Sequence, residues 1–328
     1  MESRALGRTG RRVSAIGLGT WQIGADWGEV SDDDAMRTLH AAVDWGVTFI
    51  DTADVYGDGR SERLVGRLMR ERPEAEITVA TKVGRRADPH VTEAYSSENL
   101  RRWTDRSREN LQMEKLHLVQ LHCPPTQLYA QDAVFDAMDE LVAEGRMVSY
   151  GVSVETCAEA LAAIARPHVA TVQIILNCFR QRPLDDVLPA ARDAGVGIIA
   201  RVPLASGLLS GKYDEDTTFP PDDHRAYNRR GEAFDVGETF AGVPFEVGVR
   251  AARELSEGLP STGTTAQLAL RWVLDQDGVS TVIPGARNKE QAEFNSRAAD
   301  LPPLDQQTHN HVRDVYERSI APLVDHRW

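Results

Sequence analysis

The 328 residues include only three cysteines, Cys123, Cys157 and Cys178, with no Cys-x-x-Cys pair among them. An odd, scattered set excludes a disulfide framework and a thiolate zinc site, and points to a reducing compartment, the cytoplasm. Long apolar runs are also missing. No stretch reaches the roughly 20 residues needed to span a bilayer, and the opening "MESRALGRTG" lacks the apolar centre of a signal peptide. Positive charge is in deficit, 37 Lys and Arg against 50 Asp and Glu, for a formal charge of −13. That excludes a partner held by basic patches, whether nucleic acid or anionic membrane. A G-x-G-x-x-G turn after a strand is absent as well. "GLGTWQIG" (Gly17–Gly24) lacks the third glycine at that spacing, which removes the main support for an open dinucleotide-binding sheet.

What is present is alternation. Ser31 followed by "DDD" is an N-cap with an acidic first turn; Met36, Leu39 and Val43 share one helical face, and Gly46 can end the helix. "VTFID" then reads as a strand buried on both faces. The unit recurs through "ITVATK", "HLVQLH", "MVSYGVS", "ATVQIIL", "GIIARV" and "STVIPG", each preceded by an amphipathic helix. Repeated βα units predict a parallel sheet with right-handed crossovers. Seven such strands, with an eighth expected near Asn295–Asp300, favour a (β/α)8 TIM barrel, a single domain over residues 1–328. Tyr213–Pro244, after the sixth strand, is long, irregular and rich in Asp, Arg, Gly and Phe, and reads as a lid.

Barrels of this kind carry chemistry where strands run out into loops. Asp51, Lys82, His122 and Ser153 follow four consecutive strands, and Tyr56 rides the loop beyond Asp51. Singly, each has a plain structural reading: a cap, an ion pair, a loop histidine. Their convergence on one rim favours a site. The "HNH" at His309–His311 resembles a metal pair but falls in a polar C-terminal helix, and no metal is expected. Cys123, beside His122, reads as a packing residue.

"LGRTGRRVSAIGLGTW", "IDTADVYGDGRSE", "ATK", "LVQLH", "GVS", "VQIILN", "PLASGLLSGKY" and "IPGARNKEQAEFN" resemble the aldo-keto reductase superfamily, in that family's order from Leu6 to Asn295. The resemblance implies an N-terminal β-hairpin closing the barrel's base and metal-free carbonyl reduction with NADP(H). It also implies that Asp51, Tyr56, Lys82 and His122 form a catalytic tetrad. Tyr56 would be the acid. A lysine at ~4 Å in an effective dielectric of ~20 attracts the phenolate by ~4 kcal/mol, before desolvation is counted. Asp51 would hold Lys82, and His122 would orient the carbonyl.

For the cofactor, the resemblance implies contacts from Gly19, Thr20, Trp21, Asp51, Ser153 and Gln173. The loop Pro203–Gly211, carrying Pro203, Leu204, Ser206, Gly207 and Leu208, would wrap the pyrophosphate, with Lys212 and Gly285 as further cofactor contacts. Arg287 suits the 2′-phosphate, and Gln291 and Asn295 can share a face toward adenine. Trp21, Val55, Tyr56 and His122 would wall the substrate pocket, with Trp27 as a further candidate. Two positions depart from the family: Val154 replaces an asparagine, and Arg201 replaces the aromatic that stacks on nicotinamide. An uncompensated Arg201 would disfavour oxidised cofactor; one paired with an acidic neighbour would not. The alternative reading is an NADPH-binding regulatory subunit with little turnover. The physiological carbonyl substrate and the oligomeric state are not legible.

Overall fold

The computed structural model describes residues 1–24 and 30–328, so Trp27 lies outside the described residues. Ser3–Ala5 (β1) and Arg12–Ser14 (β2) form an antiparallel hairpin. Eight parallel strands follow: Leu18–Gly19 (β3), Phe49–Asp51 (β4), Thr78–Val83 (β5), Leu116–His122 (β6), Met147–Ser153 (β7), Val169–Ile175 (β8), Gly197–Arg201 (β9) and Val279–Val282 (β10). Each pairs with its neighbour in chain order, and bridges from Ile16 to Val282 and from Gly19 to Gly285 bring β10 back against β3.

The expected eighth strand near Asn295–Asp300 is not there. Those residues end the helix Lys289–Ser296 and form the 3-10 turn Arg297–Asp300. The missing strand is β3, too short at two residues to show a periodic signal. The strand counted sixth in the sequence, β9, is therefore seventh in the barrel, and the lid segment follows it.

Local chemistry explains the elements between the strands. Ser31 Oγ accepts from the Asp34 amide and starts the helix Asp32–Asp44, which buries Met36, Leu39 and Val43; Gly46 leaves it at a φ of 84°. Capping boxes at Thr156 with Glu159 and at Thr264 with Gln267 start two further helices. The barrel's inside is layered. At its base Leu6 and Val13 of the hairpin region pack with Phe49, Ala80, Leu118, Ile199 and Ile283 in one buried cluster. This apolar floor leaves the charged and amide side chains of the interior toward the opposite end.

The segment 213–244 is folded rather than extended. It carries a helical turn His224–Tyr227 and 3-10 turns Val236–Glu238 and Phe240–Gly242. Among the described residues no helix is long and apolar enough to cross a membrane.

Candidate active site

Strand side chains alternate, so every second residue above the apolar floor also points inward. Two residues past Phe49 stands Asp51; past Ala80, Lys82; past Leu118, Gln120 and then His122; past Ile199, Arg201. Asp51, Lys82 and His122 are 3%, 1% and 5% exposed. Lys82 Nζ donates to Asp51 Oδ2 at 2.6 Å, to the Thr52 carbonyl at 3.0 Å and to Tyr56 Oη at 3.1 Å. Gln173 and Gln120 donate to the other carboxylate oxygen of Asp51, at 2.7 and 3.2 Å. The Tyr56 and His122 rings meet edge to face, centroids 6.0 Å apart. The four residues singled out in the sequence thus come together. Gln120 was missed, although its two-residue spacing from Leu118 and His122 could have revealed it.

Burial and charge set the protonation states. Lys82 resists desolvation through the Asp51 carboxylate, and its pKa is raised, so it stays an ammonium. Burial, then the Arg85, Lys82 and Arg201 cations, push His122 well below its ordinary value, so it is a neutral imidazole. Folding corrects the sequence-based expectation for Tyr56. Desolvation outweighs the attraction of Lys82 and the phenol is raised, not lowered. At neutral pH the hydroxyl keeps its proton.

Asp54 adds a titration beside the site. Its amide donates to the Lys82 carbonyl at 3.1 Å, while neither carboxyl oxygen has a partner among the described residues. Burial and then Glu62 push its pKa up to about 7. An acid raised in the native state stabilises fully below its unfolded pKa and loses that contribution as pH rises through the folded value. Asp54→Asn is therefore expected to gain stability relative to wild type between pH 5 and pH 8, measured by urea unfolding. A difference independent of pH would show that Asp54 does not titrate in that window.

A cavity of about 670 Å³ runs from this cluster along the rim. Gly19, Thr20, Trp21, Asp51, Ser153, Gln173 and Arg201 line it near Tyr56 and His122, and Pro203, Leu204, Ser206, Gly207, Lys212 and Gly285 continue the wall. Arg287, Gln291 and Asn295 close its far end, where Asn288 caps the helix Lys289–Ser296. Arg287 lies there without a carboxylate partner among the described residues, while Gln291 Oε1 accepts from its amide at 2.9 Å. Val202, Ala205 and Ser206 hold φ angles of 52°, 47° and 53°, and Gly207 follows at 97°. Successive residues in this sparsely populated region cost free energy, and such turns aim backbone N–H groups into a concavity.

Two predicted residues are elsewhere. Leu208 is 1% exposed and belongs to the hydrophobic core, against Gly248, so its side chain does not line the cavity. Val55 is half-buried and is not among the lining residues either. Instead Trp21 stacks near Tyr56, centroids 6.2 Å apart, and packs against His224 and Phe234 of the lid segment at 4.9 and 5.7 Å. Tyr213, Arg225 and Glu238 of the expected lid also line the cavity, together with Gln22, Thr264 and Thr265, which were not anticipated.

Arg201 is not an isolated cation. Its Nη2 donates to Glu155 at 2.8 Å and to the Val154 carbonyl at 2.9 Å, and Nη1 lies 3.7 Å from Glu238. Arg85 bonds Glu238 at 2.8 Å and lies 3.9 Å from Glu155. Burial pushes Glu155 up to about 7, whereas Arg85 and Arg201 overcome burial to hold Glu238 at about 2. The paired reading of Arg201 therefore replaces the uncompensated one. Cys123, with Glu155 and Glu238, forms a cluster of three potential metal ligands among the described residues. Two guanidiniums face it and burial raises the thiol, so its chemistry suits neither a cation nor a nucleophile. His309 lies 3.4 Å from Asp275, and His311 bonds the carbonyls of Glu254 and Leu255, so the two histidines serve packing.

The aldo/keto reductase family profile matches residues 15–317. Aldo-keto reductase YhdN of Bacillus subtilis is 30% identical over 335 residues, covering 99% of this chain and 96% of that protein. The structure of the glycerol dehydrogenase AKR11B4 from Gluconobacter oxydans superimposes with a TM-score of 0.79 at 30% identity, over 97% of this chain and 96% of that one. An aldo-keto reductase from Klebsiella pneumoniae in complex with NADPH gives a TM-score of 0.69 at 25% identity, over 96% and 95% of the two chains. Barrel, rim cluster and relatives agree: this chain belongs to the aldo/keto reductase family of oxidoreductases.

Proposed function

We propose that this protein reduces an aldehyde or ketone to the alcohol with NADPH, Tyr56 being the general acid. The observation that carries the reading is the position of Lys82 Nζ, 2.6 Å from Asp51 and 3.1 Å from Tyr56 Oη at the mouth of the barrel. NADPH supplies the hydride when bound. The chain's own residues supply the rest. The neutral His122 holds and polarises the carbonyl oxygen, and Tyr56 Oη delivers its proton as negative charge develops there. Lys82 stabilises the phenolate left behind, and Asp51 keeps Lys82 charged and in place. Trp21 and the lid residues His224 and Phe234 shield the reacting atoms from water.

The cavity fits the cofactor. The strained turn 202–207 offers backbone donors for a pyrophosphate, and Arg287, lacking a carboxylate partner among the described residues, suits a 2′-phosphate. The complex of the Klebsiella relative with NADPH supports the same choice. Screening aldehydes, ketones and hydroxy-carbonyls with NADPH and NADH tests the reading; tight cofactor binding without turnover on any of them would favour the regulatory alternative. Arg287→Ala is expected to raise the KM for NADPH by about 10- to 150-fold, a charge-assisted contact being worth ~1.5–3 kcal/mol, with little change for NADH. Equal losses with both cofactors would place the 2′-phosphate elsewhere.

A further inference from the structure

We infer that Arg201 holds the nicotinamide carboxamide in this chain, an uncommitted guanidinium N–H donating to the carboxamide oxygen, with Glu155 and Glu238 as positioning residues that fix the guanidinium. The inference rests on the NADP(H) reading above. A hydride donor must lie where Tyr56 and His122 converge, so the nicotinamide end of the cavity is the end that Ser153, Gln173 and Arg201 line.

The polar groups at that end are mostly committed. Gln173 Nε2 donates to Asp51 at 2.7 Å, and Gln173 Oε1 accepts from Ser153 Oγ at 3.3 Å. Lys82 serves Asp51, Thr52 and Tyr56. Val154 offers only its carbonyl, and Arg201 Nη2 uses it. Of the Arg201 donors, Nε and Nη1 have no hydrogen-bond partner among the described residues, Nη1 having only Glu238 at 3.7 Å; His122 Nδ1, also unpartnered, is on the imidazole assigned above to the carbonyl. A buried donor left unpaired is costly, and a ligand oxygen relieves that cost.

The rest of the guanidinium is fixed from behind. Glu155, just past the end of β7, takes Nη2, and Glu238 lies beside Nη1. Glu238 belongs to the lid segment, whose backbone is tied to the cofactor loop by Ser206 Oγ: it donates to the Glu238 carbonyl at 3.0 Å and accepts from the Phe240 amide at 3.1 Å. Seating the lid therefore sets the guanidinium's orientation. Because the two arginines face Glu238 and Glu155, much of the charge of Arg201 is offset and what it offers the ligand is a directed hydrogen bond.

The test pairs residue changes with a ligand change. Dissociation constants for NADP+ and for its thionicotinamide analogue, whose sulfur is a weaker acceptor than oxygen, are read by tryptophan fluorescence quenching, without turnover. Wild type is expected to prefer NADP+ by about fivefold, the equivalent of one hydrogen bond. Arg201→Lys, and the charge-balanced Arg201→Leu/Glu155→Gln, should bind both ligands equally to within about twofold. Two variants guard against one that misfolds, and circular dichroism identifies a folded one. Glu238→Gln should lower the preference to an intermediate value while the analogue's affinity stays unchanged. A preference that survives in a folded Arg201 variant overturns the assignment, and one that survives in Glu238→Gln removes the lid from it. Failure of wild type to bind NADP+ or NADPH at all would instead overturn the cofactor reading itself.

Discussion

Tyr56→Phe is expected to lower kcat for carbonyl reduction by about 10³-fold or more, with the dissociation constant for NADPH within about twofold of wild type. The substitution removes one oxygen and nothing else. That oxygen lies 3.1 Å from Lys82 Nζ, so its loss also removes one acceptor from a buried ammonium. Two acceptors remain, Asp51 and the Thr52 carbonyl, so the lysine stays in place and the fold persists. The burial that raises the phenol has a catalytic side. A hydroxyl that keeps its proton at neutral pH is a competent donor, and Lys82 meets the phenolate only once the proton has left. Stopped-flow NADPH oxidation and a separate binding titration check the two halves of this expectation. Near-normal turnover in the variant would remove Tyr56 as the acid.

Lys82→Met should be inactive and destabilised by ~3–5 kcal/mol, because it strands the Asp51 carboxylate in the barrel. Adding Asp51→Asn should recover most of that stability and none of the activity, since a neutral amide no longer needs a cation. Gln173 and Gln120 both donate toward Asp51 Oδ1, so an asparagine oxygen can still be satisfied. Lys82 has a raised pKa in the folded protein, so its stabilisation is complete at neutral pH and fades only above the ordinary lysine value of about 10.4. Urea unfolding at pH 7 of wild type and of the single and double variants measures this. A double variant less stable than Lys82→Met would show that something other than the stranded carboxylate sets the loss.

Much of this was legible from residues alone. Apolar runs such as "VTFID" and "HLVQLH" become β4 and β6 because strands covered on both faces must be apolar along their length. The polar residues ending those runs, Asp51 and His122, mark the chemical end of the barrel, opposite the apolar floor. Period-two alternation carries the pattern inward, from Phe49 to Asp51 and from Ala80 to Lys82.

What the sequence by itself determined is the repeating βα unit, the rim that bears the polar residues and the identity of Asp51, Tyr56, Lys82 and His122 as one group. The first two follow from short-range periodicity along the chain, and the grouping of the four, Tyr56 included, from their places at one rim and the family resemblance. Tertiary structure alone decided that β3 completes the barrel, that desolvation outweighs Lys82 at Tyr56, and that Arg201 is compensated by Glu155 and Glu238. Those outcomes depend on groups far apart in the chain, such as Arg85 and Glu238, 153 positions apart, meeting in a medium of low polarity. No local pattern encodes that meeting, and in such a medium a few ångströms decide which charge prevails.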